Sequence, residues 1–335
     1  MPDYTISEIE SSKLNEWDEF VKFSPQGTLF STSAWKQIIE SGTGFKLRFI
    51  GVFRNDNLVG GVSFMEKKQL GCLCALQPLC TPYLGIILPE RITTKISDAI
   101  SREHASIKHI CRFLEKHYAQ TDLVNEPAFL DARPLLRRKW IVKPRFTYRL
   151  AINDPDKNWK EFDGSLRRAI KKAEKSNLEI KETITGDAEG IHSLVDDTLS
   201  RKGGKNPVPE NLTRMIATNE ELTHGRTILE ARSSEGKLIS ALVTVSDWRR
   251  AYYSIATTDP AYLSTGVNSL LVWRMINILS EKGVTELDFQ GANIQSIARY
   301  KEHFNPQIVS HFRIQKWTNP VFEKAKKAGR RILGR

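Results

Sequence analysis

The same order of predicted helices and strands occurs twice along the 335-residue chain. Each copy reads as a strand, two helices and three strands, followed by a helix, a strand, a helix and a last strand. The second copy is the clearer one: a basic helix at 165–176 opens it, and Gly283 closes a long apolar helix at 267–282. Since a domain averages ~150 residues, two copies fit the length. We therefore expect a mixed α/β (α+β) fold with two domains of similar construction.

Composition places the chain among globular proteins. Hydrophobic residues make up 40% and charged residues 27%, which is too apolar for a disordered chain. No apolar run approaches the ~20 residues that a transmembrane helix needs. The start is polar and acidic and lacks the layout of a secretion signal. These features argue against membrane-spanning, secreted and fibrous proteins, and we expect a cytoplasmic protein.

The cysteines indicate neither a metal site nor disulfides. Cys72 and Cys74 have C-x-C spacing, which in a strand places both on one face among Leu and Ala. A zinc site usually has C-x₂-C pairs. We expect buried small apolar residues and no bound metal.

The net charge of +11 is concentrated in three segments. Residues 133–149 contain seven Lys/Arg and no acid, and 165–175 and 321–335 are nearly as basic. Such clusters favour a polyanionic partner, which would be RNA, an anionic membrane surface or a phosphorylated substrate. A short basic helix in the tail would suit either of the first two. The alternative is a set of solvated helix faces.

The segment 165–175 predicts an amphipathic helix that Ser165 caps. Leu166 and Ile170 fall on its apolar side. The opposite side carries the candidate contacts to RNA or phosphate, which are Arg167, Arg168, Lys171 and Lys172.

Local motifs in the second half resemble a known family. The stretch TGVNSLLVWRMINILSEKGVTELDFQGANIQSIARYKEHFNP resembles the C-terminal signature of the FemABX-like, or BioF2-like, acyltransferases of the GNAT superfamily. SLRRAIKKAEKSNLEI is similar to the basic helix that opens their second domain, and DDTLSRKGG and GTLFSTSAWKQIIE resemble two further stretches. The resemblance implies two tandem GNAT-like domains, each a mixed, mostly antiparallel sheet flanked by helices. We place a degenerate, acceptor-side domain at 1–150, a catalytic, donor-side domain at 151–317 and a basic tail at 318–335.

The resemblance implies acyl transfer to an amine. The acceptor would be an amino-bearing cell-envelope precursor of peptidoglycan or polysaccharide synthesis, linked to a nucleotide or a lipid. Aminoacyl-tRNA would be the donor and no cofactor would be tightly bound; we expect no contact with DNA. Peripheral attachment at the inner face of the membrane stays open. One alternative is an acetyl-CoA-dependent N-acetyltransferase of polysaccharide synthesis. Another is a non-catalytic RNA- or membrane-binding protein on a decayed GNAT pair.

The donor loop is where the sequence departs from GNAT enzymes. Those that bind acetyl-CoA have R/Q-x-x-G-x-G/A before the long helix, so that backbone N–H groups hold the pyrophosphate. Here Leu263 and Asn268 replace the first and last positions and Gly266 alone remains. We assign donor binding to Gly266 and Asn268, and the departure favours aminoacyl-tRNA over acetyl-CoA.

The family motif places the candidate catalytic residues at the end of the second domain. Lys301 is a candidate for stabilising the oxyanion, although it could be a plain exposed lysine. Tyr300 replaces the Phe that precedes this lysine in the family. Asp288 matches the motif's Asp and would either act in catalysis or brace the loop through backbone hydrogen bonds. We assign no general base.

Four further residues are candidate substrate contacts. Arg201 matches a family arginine and would bind a phosphate, although a helix-end role fits equally. Trp35 and Lys36 would line an acceptor groove in the first domain; the alternative for Trp35 is a core position. Tyr252 lies on a strand beside the expected donor cleft.

Overall fold

The computed structural model describes residues 4–92, 95–201 and 203–332, which form two compact units. The first unit comprises Met1–Glu40, Gly44–Arg145 and Ser310–Arg335. The second comprises Ser41–Thr43 and Phe146–Val309.

The first unit is a mixed sheet with helices. Its elements in chain order are β1 (Tyr4–Glu8), α1 (Leu14–Phe23), α2 (Ser33–Thr43), β2 (Lys46–Arg54), β3 (Asn57–Gln69), β4 (Cys72–Leu76), β5 (Ile86–Ile87), α3 (Ile96–His117), β6 (Gln120–Val124), α4 (Arg133–Arg137) and the first half of β7 (Ile141–Ala151). Strands β1 to β4 pair antiparallel in sequence order, and β6 joins β4 in parallel. Helix α3 makes the crossover that a parallel pair requires.

The second unit repeats this plan. After β7 come α5 (Pro155–Glu161), α6 (Gly164–Glu174), β8 (Glu179–Thr183), α7 (Ala188–Ser200), α8 (Glu210–Thr218), β9 (Arg226–Arg232), β10 (Leu238–Ser246), β11 (Ala251–Thr258), α9 (Val267–Glu281), β12 (Glu286–Asp288), α10 (Gln295–Glu302) and the start of β13 (Gln307–Trp317). The rest of β13 and the last helix, α11 (Pro320–Ile332), belong to the first unit. Strands β8 to β11 are antiparallel, β12 pairs with β11 in parallel, and β7 pairs antiparallel with β12.

Helix α9 forms the centre of the second unit's core. It is apolar nearly all round, and Leu271, Met275 and Ile276 are fully buried. Such a helix is stable only when it is covered on all sides. Gly283 follows its end with φ 81°, the left-handed conformation that closes many helices. The predicted fold class and the repeated order of elements are both confirmed.

The unit boundaries differ from the prediction. Residues 310–317, expected in the second domain, belong to the first unit, as does the tail. The reason is that β13 pairs antiparallel with β6, and the Arg313 guanidinium binds the Asp122 carboxylate at 2.6 Å through both nitrogens Nε and Nη2. The second unit starts at Phe146 instead of 151, because the end of β7 is the partner of β12.

Some elements also differ in extent. Helix α5 was not predicted, and between residues 72 and 88 the chain forms two short strands, β4 and β5. The long helix of the first unit, α3, begins at Ile96. The predicted tail helix forms as α11, with residues 333–335 outside the description. No helix in the described ranges is long and apolar enough to cross a membrane.

Candidate functional site

A left-handed glycine opens α9. Gly266 has φ 83°, and a Cβ there would lie 2.5 Å from the carbonyl oxygen of Ala169 in α6. Only glycine fits this turn, because a side chain meets both backbone strain and the neighbouring helix. The Lys172 ammonium donates to the Ser264 carbonyl oxygen at 2.9 Å, so α6 lies directly against the loop before α9. The positive end of the α9 dipole is at this point.

The face of α6 away from the core is cationic. Leu166 and Ile170 are buried against the second unit's core. Asp163, and not Ser165 as predicted, caps the helix by accepting from the Ser165 N–H at 2.7 Å. The outer side is half or fully exposed and carries Arg167, Arg168, Lys171 and Lys172. Thus the helix that carries the predicted phosphate-binding residues lies next to the predicted donor loop, and Lys172 contacts the loop directly.

Lys301 is buried, with only 6% of its surface exposed. Its ammonium donates to the carbonyl oxygens of Gln290 and Gly291, the latter at 3.0 Å. These two residues have φ values of 53° and 52°, and the left-handed turn aims both carbonyls at the lysine. Burial lowers the pKa of Lys301 from 10.5 to about 8, and the charge of Asp288 opposes this shift. The side chain is therefore mostly cationic at pH 7. Because Lys301 is buried, the alternative interpretation as a plain exposed lysine is excluded.

Asp288 braces this turn. Its carboxylate is fully buried and accepts from the Gln290 N–H at 2.8 Å, the Thr147 hydroxyl at 2.6 Å and the Arg149 Nε–H at 3.1 Å. Both carboxylate oxygens thus accept hydrogen bonds. This arrangement makes Asp288 a positioning residue for the Gln290–Gly291 carbonyls, in line with the bracing role that the sequence left open.

Two tyrosines connect the start of α9 to Lys301. The Asn268 side-chain amide donates to the Tyr300 hydroxyl at 2.9 Å, and Ser269 lies 3.4 Å from the same hydroxyl. Burial raises the pKa of Tyr300 to about 12. Burial and the neighbouring Tyr300 also raise the pKa of Tyr253. A hydrogen bond with Asn268 partly offsets this rise. The Lys301 Nζ lies 5.8 Å from the centre of the Tyr253 ring, so this cluster is continuous.

The sequence reasoning missed part of this cluster. Tyr253 was passed over in favour of Tyr252, yet successive residues of a strand point to opposite faces. Tyr253 contacts Lys301, whereas Tyr252 is fully buried and donates to Asp247 at 2.7 Å. Ser269 was also missed, although its place one residue after Asn268 on the first turn of α9 was a usable signal.

Residues 160–302 match the family described as Acetyltransferase (GNAT) domain. The second unit is a GNAT domain. Its match covers α6, the glycine turn, α9 and the Tyr300–Lys301 pair, so the cluster described above lies in the acyltransferase part of the chain.

Solved structures extend the likeness to the first unit. FemX has 14% sequence identity and a TM-score of 0.64, covering 92% of this chain and 96% of its own. L-PGS from Bacillus licheniformis has 11% identity and a TM-score of 0.56, covering 98% of each chain. A tandem GNAT protein of the clavulanic acid biosynthesis pathway has 9% identity and a TM-score of 0.57, covering 95% and 99%. These likenesses are in fold, and they give the chain the tandem GNAT architecture. No curated protein sequence matches the chain significantly.

Trp35 and Lys36, two further predicted residues, belong to the first unit. Trp35 is fully buried in the first unit, where its indole N–H donates to the Thr81 hydroxyl at 2.9 Å and its ring packs edge-on with Phe30. Lys36 pairs with Glu40 and donates to the Leu47 carbonyl oxygen at 2.6 Å. Trp35 therefore presents no surface to a substrate in this structure, and its core alternative describes it better.

Arg201 is exposed at the end of α7. Its Nε–H donates to the Asp197 carbonyl oxygen at 3.2 Å, which is the helix-end role left open from the sequence. A bond to Lys237, and at longer range the charge of Arg201, lower the pKa of Asp259. Asp259 caps the short 3₁₀ helix Pro260–Thr265 that leads into Gly266. Arg201 thus belongs to the positive surroundings of the donor loop in the GNAT domain.

Proposed function

We propose that this GNAT acyltransferase moves an aminoacyl group from aminoacyl-tRNA to the amine of a cell-envelope precursor. The observation that carries the proposal is the contact between α6 and the donor loop, where Lys172 binds the Ser264 carbonyl oxygen at 2.9 Å. This contact places Lys172 at the loop before α9, and three further cations lie on the same helix, which are Arg167, Arg168 and Lys171. A polynucleotide backbone needs such an extended cationic track, whereas a single pyrophosphate does not.

The loop residues support the same donor. Leu263 is 61% exposed where acetyl-CoA enzymes carry Arg or Gln, and Asn268 is engaged by Tyr300. Neither side chain supplies a cation to a pyrophosphate. The second candidate donor is acetyl-CoA, which the retained left-handed turn at Gly266 favours.

The reaction joins an amine to an ester carbonyl. The neutral amine of the acceptor attacks the aminoacyl carbonyl carbon, and a C–N bond forms as the carbonyl becomes a tetrahedral oxyanion. The oxyanion then collapses, the C–O bond to the tRNA ribose breaks, and the proton lost by the amine ends on the departing ribose hydroxyl. The protein must align the two substrates and stabilise the oxyanion.

Lys301 has the features of the oxyanion stabiliser. Its ammonium group donates two hydrogen bonds to the carbonyl oxygens of Gln290 and Gly291, and these bonds fix the side chain. Among the residues described, none accepts the third proton, which leaves it for the oxyanion. A charge in a buried setting interacts more strongly than one in water. In this scheme Tyr300 and Asn268 orient the donor beside Lys301 as neutral hydrogen-bonding groups.

The acceptor class follows from the relatives and from the division of labour. The FemABX-like resemblance and the fold shared with FemX both support an amine of the cell envelope. We assign acceptor binding to the first unit and donor binding to the second. The acceptor in this proposal is a peptidoglycan or polysaccharide precursor that is linked to a nucleotide or a lipid.

Thermal unfolding of the full chain tests the donor. A ligand at 100 times its Kd adds about 2.7 kcal/mol of stability, which is readily measured. We expect stabilisation by a mixture of charged tRNAs beyond that by the same tRNAs uncharged, and none by acetyl-CoA. Stabilisation by acetyl-CoA alone would make the protein an N-acetyltransferase. Equal responses to charged and uncharged tRNA, with no acyl transfer, would support the non-catalytic RNA-binding alternative.

A further inference from the structure

A row of unpaired cations lies on α3 in the first unit. Lys108, Arg112 and Lys116 are exposed and four residues apart, so they follow one side of the helix. None of the three has an ion-pair partner within the described part of the chain. Burial and the nearby charges of Arg112 and Lys108 lower the pKa of His109, which shows the positive surroundings.

The segment around α4 runs along α3 beside this row. At one end Asp131 binds His104 at 2.8 Å, and at the other Glu115 accepts from Arg138 and from the Trp140 indole N–H at 2.7 Å. Each acid on this surface is therefore already engaged by the protein's own cationic or N–H groups. Arg137 and Lys139 are exposed on the same segment and add to the positive charge.

Aliphatic side chains stand among these cations. Leu130, in the loop before α4, is 77% exposed, Leu136 on α4 is 55% exposed, and the exposed Arg133 lies between them in the sequence. Their neighbours Pro134 and Leu135 are buried, so the segment already has a core-facing side. Exposed leucines in a cationic patch have no packing role in the unit itself.

A largely apolar cavity of about 230 Å³ opens near the same helix. Leu58, Val59, Pro89 and Ala99 contribute its apolar walls, and Arg54, Arg91 and Arg102 are among its lining residues. The Arg54 Nε–H is buried and finds no acceptor within the residues described. Arg91 holds Glu103, one residue before His104, so the cavity and the α3–α4 surface lie close together.

We propose that this surface of the first unit docks onto a bilayer of anionic phospholipids. Cations attract the lipid phosphates, while Leu130 and Leu136 enter the interface and the cavity accepts an apolar part of a lipid. RNA is the competing polyanion, but exposed leucines add nothing to contacts with a phosphate backbone, whereas they bury apolar area in a lipid interface. The proposal goes beyond acyl transfer and stands independently of the donor.

Vesicle binding by the full chain tests this surface. We compare co-sedimentation with phosphatidylcholine vesicles and with vesicles that also contain phosphatidylglycerol, and expect binding only to the second. Arg112→Gln with Arg137→Gln removes two cations and should weaken binding by roughly 30-fold. Leu130→Ser with Leu136→Ser keeps the charge and should weaken it by about tenfold.

Matched controls separate this surface from general charge and from folding. Lys160→Gln with Lys205→Gln removes two exposed cations of the second unit, and Ile184→Ser removes an exposed aliphatic residue there; both should bind as the wild type does. Thermal unfolding confirms that each variant folds.

Equal binding to both kinds of vesicle, or leucine variants that bind like the wild type, would overturn the proposal. Loss of tRNA binding in the arginine variant together with full vesicle binding by the leucine variant would reassign the surface to RNA. Acyl transfer to a soluble amine should persist in all variants, so failure here leaves the proposed function untouched.

Discussion

Lys301 combines a buried position with a positive charge held by two carbonyl oxygens. Burial of a charge costs free energy, and ionisable groups kept in this state cluster at functional sites. The carbonyls come from a left-handed turn that Asp288 braces, so the lysine, the turn and the carboxylate act as one assembly.

Removal of the lysine should abolish most of the catalysis. We expect Lys301→Ala to lower kcat by about 10²–10³, the usual cost of losing an oxyanion donor. The matched control is Arg299→Ala, which removes an exposed cation from the same helix and should leave kcat within about twofold. Single-turnover acyl transfer measures both. An unchanged kcat for the Lys301 variant would remove this residue from the reaction.

The low pKa of Lys301 also predicts a pH dependence of stability. The unfolded lysine titrates near 10.5 and the folded one near 8, so between these values the unfolded chain binds more protons and the native state gains stability as the pH rises. Lys301→Met lacks this gain. We therefore expect the Tm of the wild type to rise relative to that of the variant from pH 8 to 10.5, by an equivalent of about 3 kcal/mol. Thermal unfolding across this range measures it, and a constant difference in Tm would contradict the assignment.

At the scale of elements, the junction of α6 and α9 depends on one glycine. Gly266→Ala forces a side chain into a left-handed turn and against the Ala169 carbonyl oxygen. We expect a loss of about 2 kcal/mol or more and weaker donor binding. Gly283→Ala is the matched control, since Gly283 has nearly the same φ but open space around it, and should cost only about 1 kcal/mol. Equal losses in the two variants would show that contact with α6 is unimportant.

The cationic face of α6 predicts a measurable salt dependence. Each phosphate contact contributes about 0.7–0.9 to the slope of log K against log salt. Arg168→Gln with Lys171→Gln should therefore reduce the slope for tRNA binding by roughly 1.5. Lys13→Gln with Lys46→Gln makes the same change of net charge on the first unit and should leave the slope unchanged. Equal slopes for the two double variants would move the tRNA away from α6.

Local patterns explain why most elements were predictable. The apolar residues of α9, the glycine that follows it and the alternating strands are all encoded within short windows, and the structure has them within a few residues. The contacts that complete the site are not local. Thr147 reaches Asp288 across 141 residues, and the carbonyls that hold Lys301 depend on a left-handed Gln290 that no sequence rule marks.

At the scale of the whole molecule, the division of the chain sets which fragments can fold. The fragment 146–309 contains the end of β7, so β12 keeps its partner and Asp288 keeps Thr147. We expect it to fold alone with a cooperative thermal transition. The fragment 160–302 contains the family match but lacks β7 and should be unstable or insoluble. Far-UV circular dichroism and thermal unfolding compare the two; a stable shorter fragment would show that β7 is dispensable.

The boundary error at 310–317 has a physical origin. The second copy of the repeat ends with a strand, and sequence order assigns that strand to the nearer domain. Its partner is instead β6, and the Arg313–Asp122 pair spans 191 residues. Alternation of polar and apolar residues predicts a strand but does not name its neighbour.

The return of β13 to the first unit fixes an order of events during synthesis. Residues 310–317 leave the ribosome after every residue of the second unit has emerged, so the second unit can be complete while β6 still lacks an edge partner. The half that is translated first is thus the last to be finished. A nascent chain that stops shortly after residue 309 would carry an intact second unit and an open, aggregation-prone sheet edge in the first.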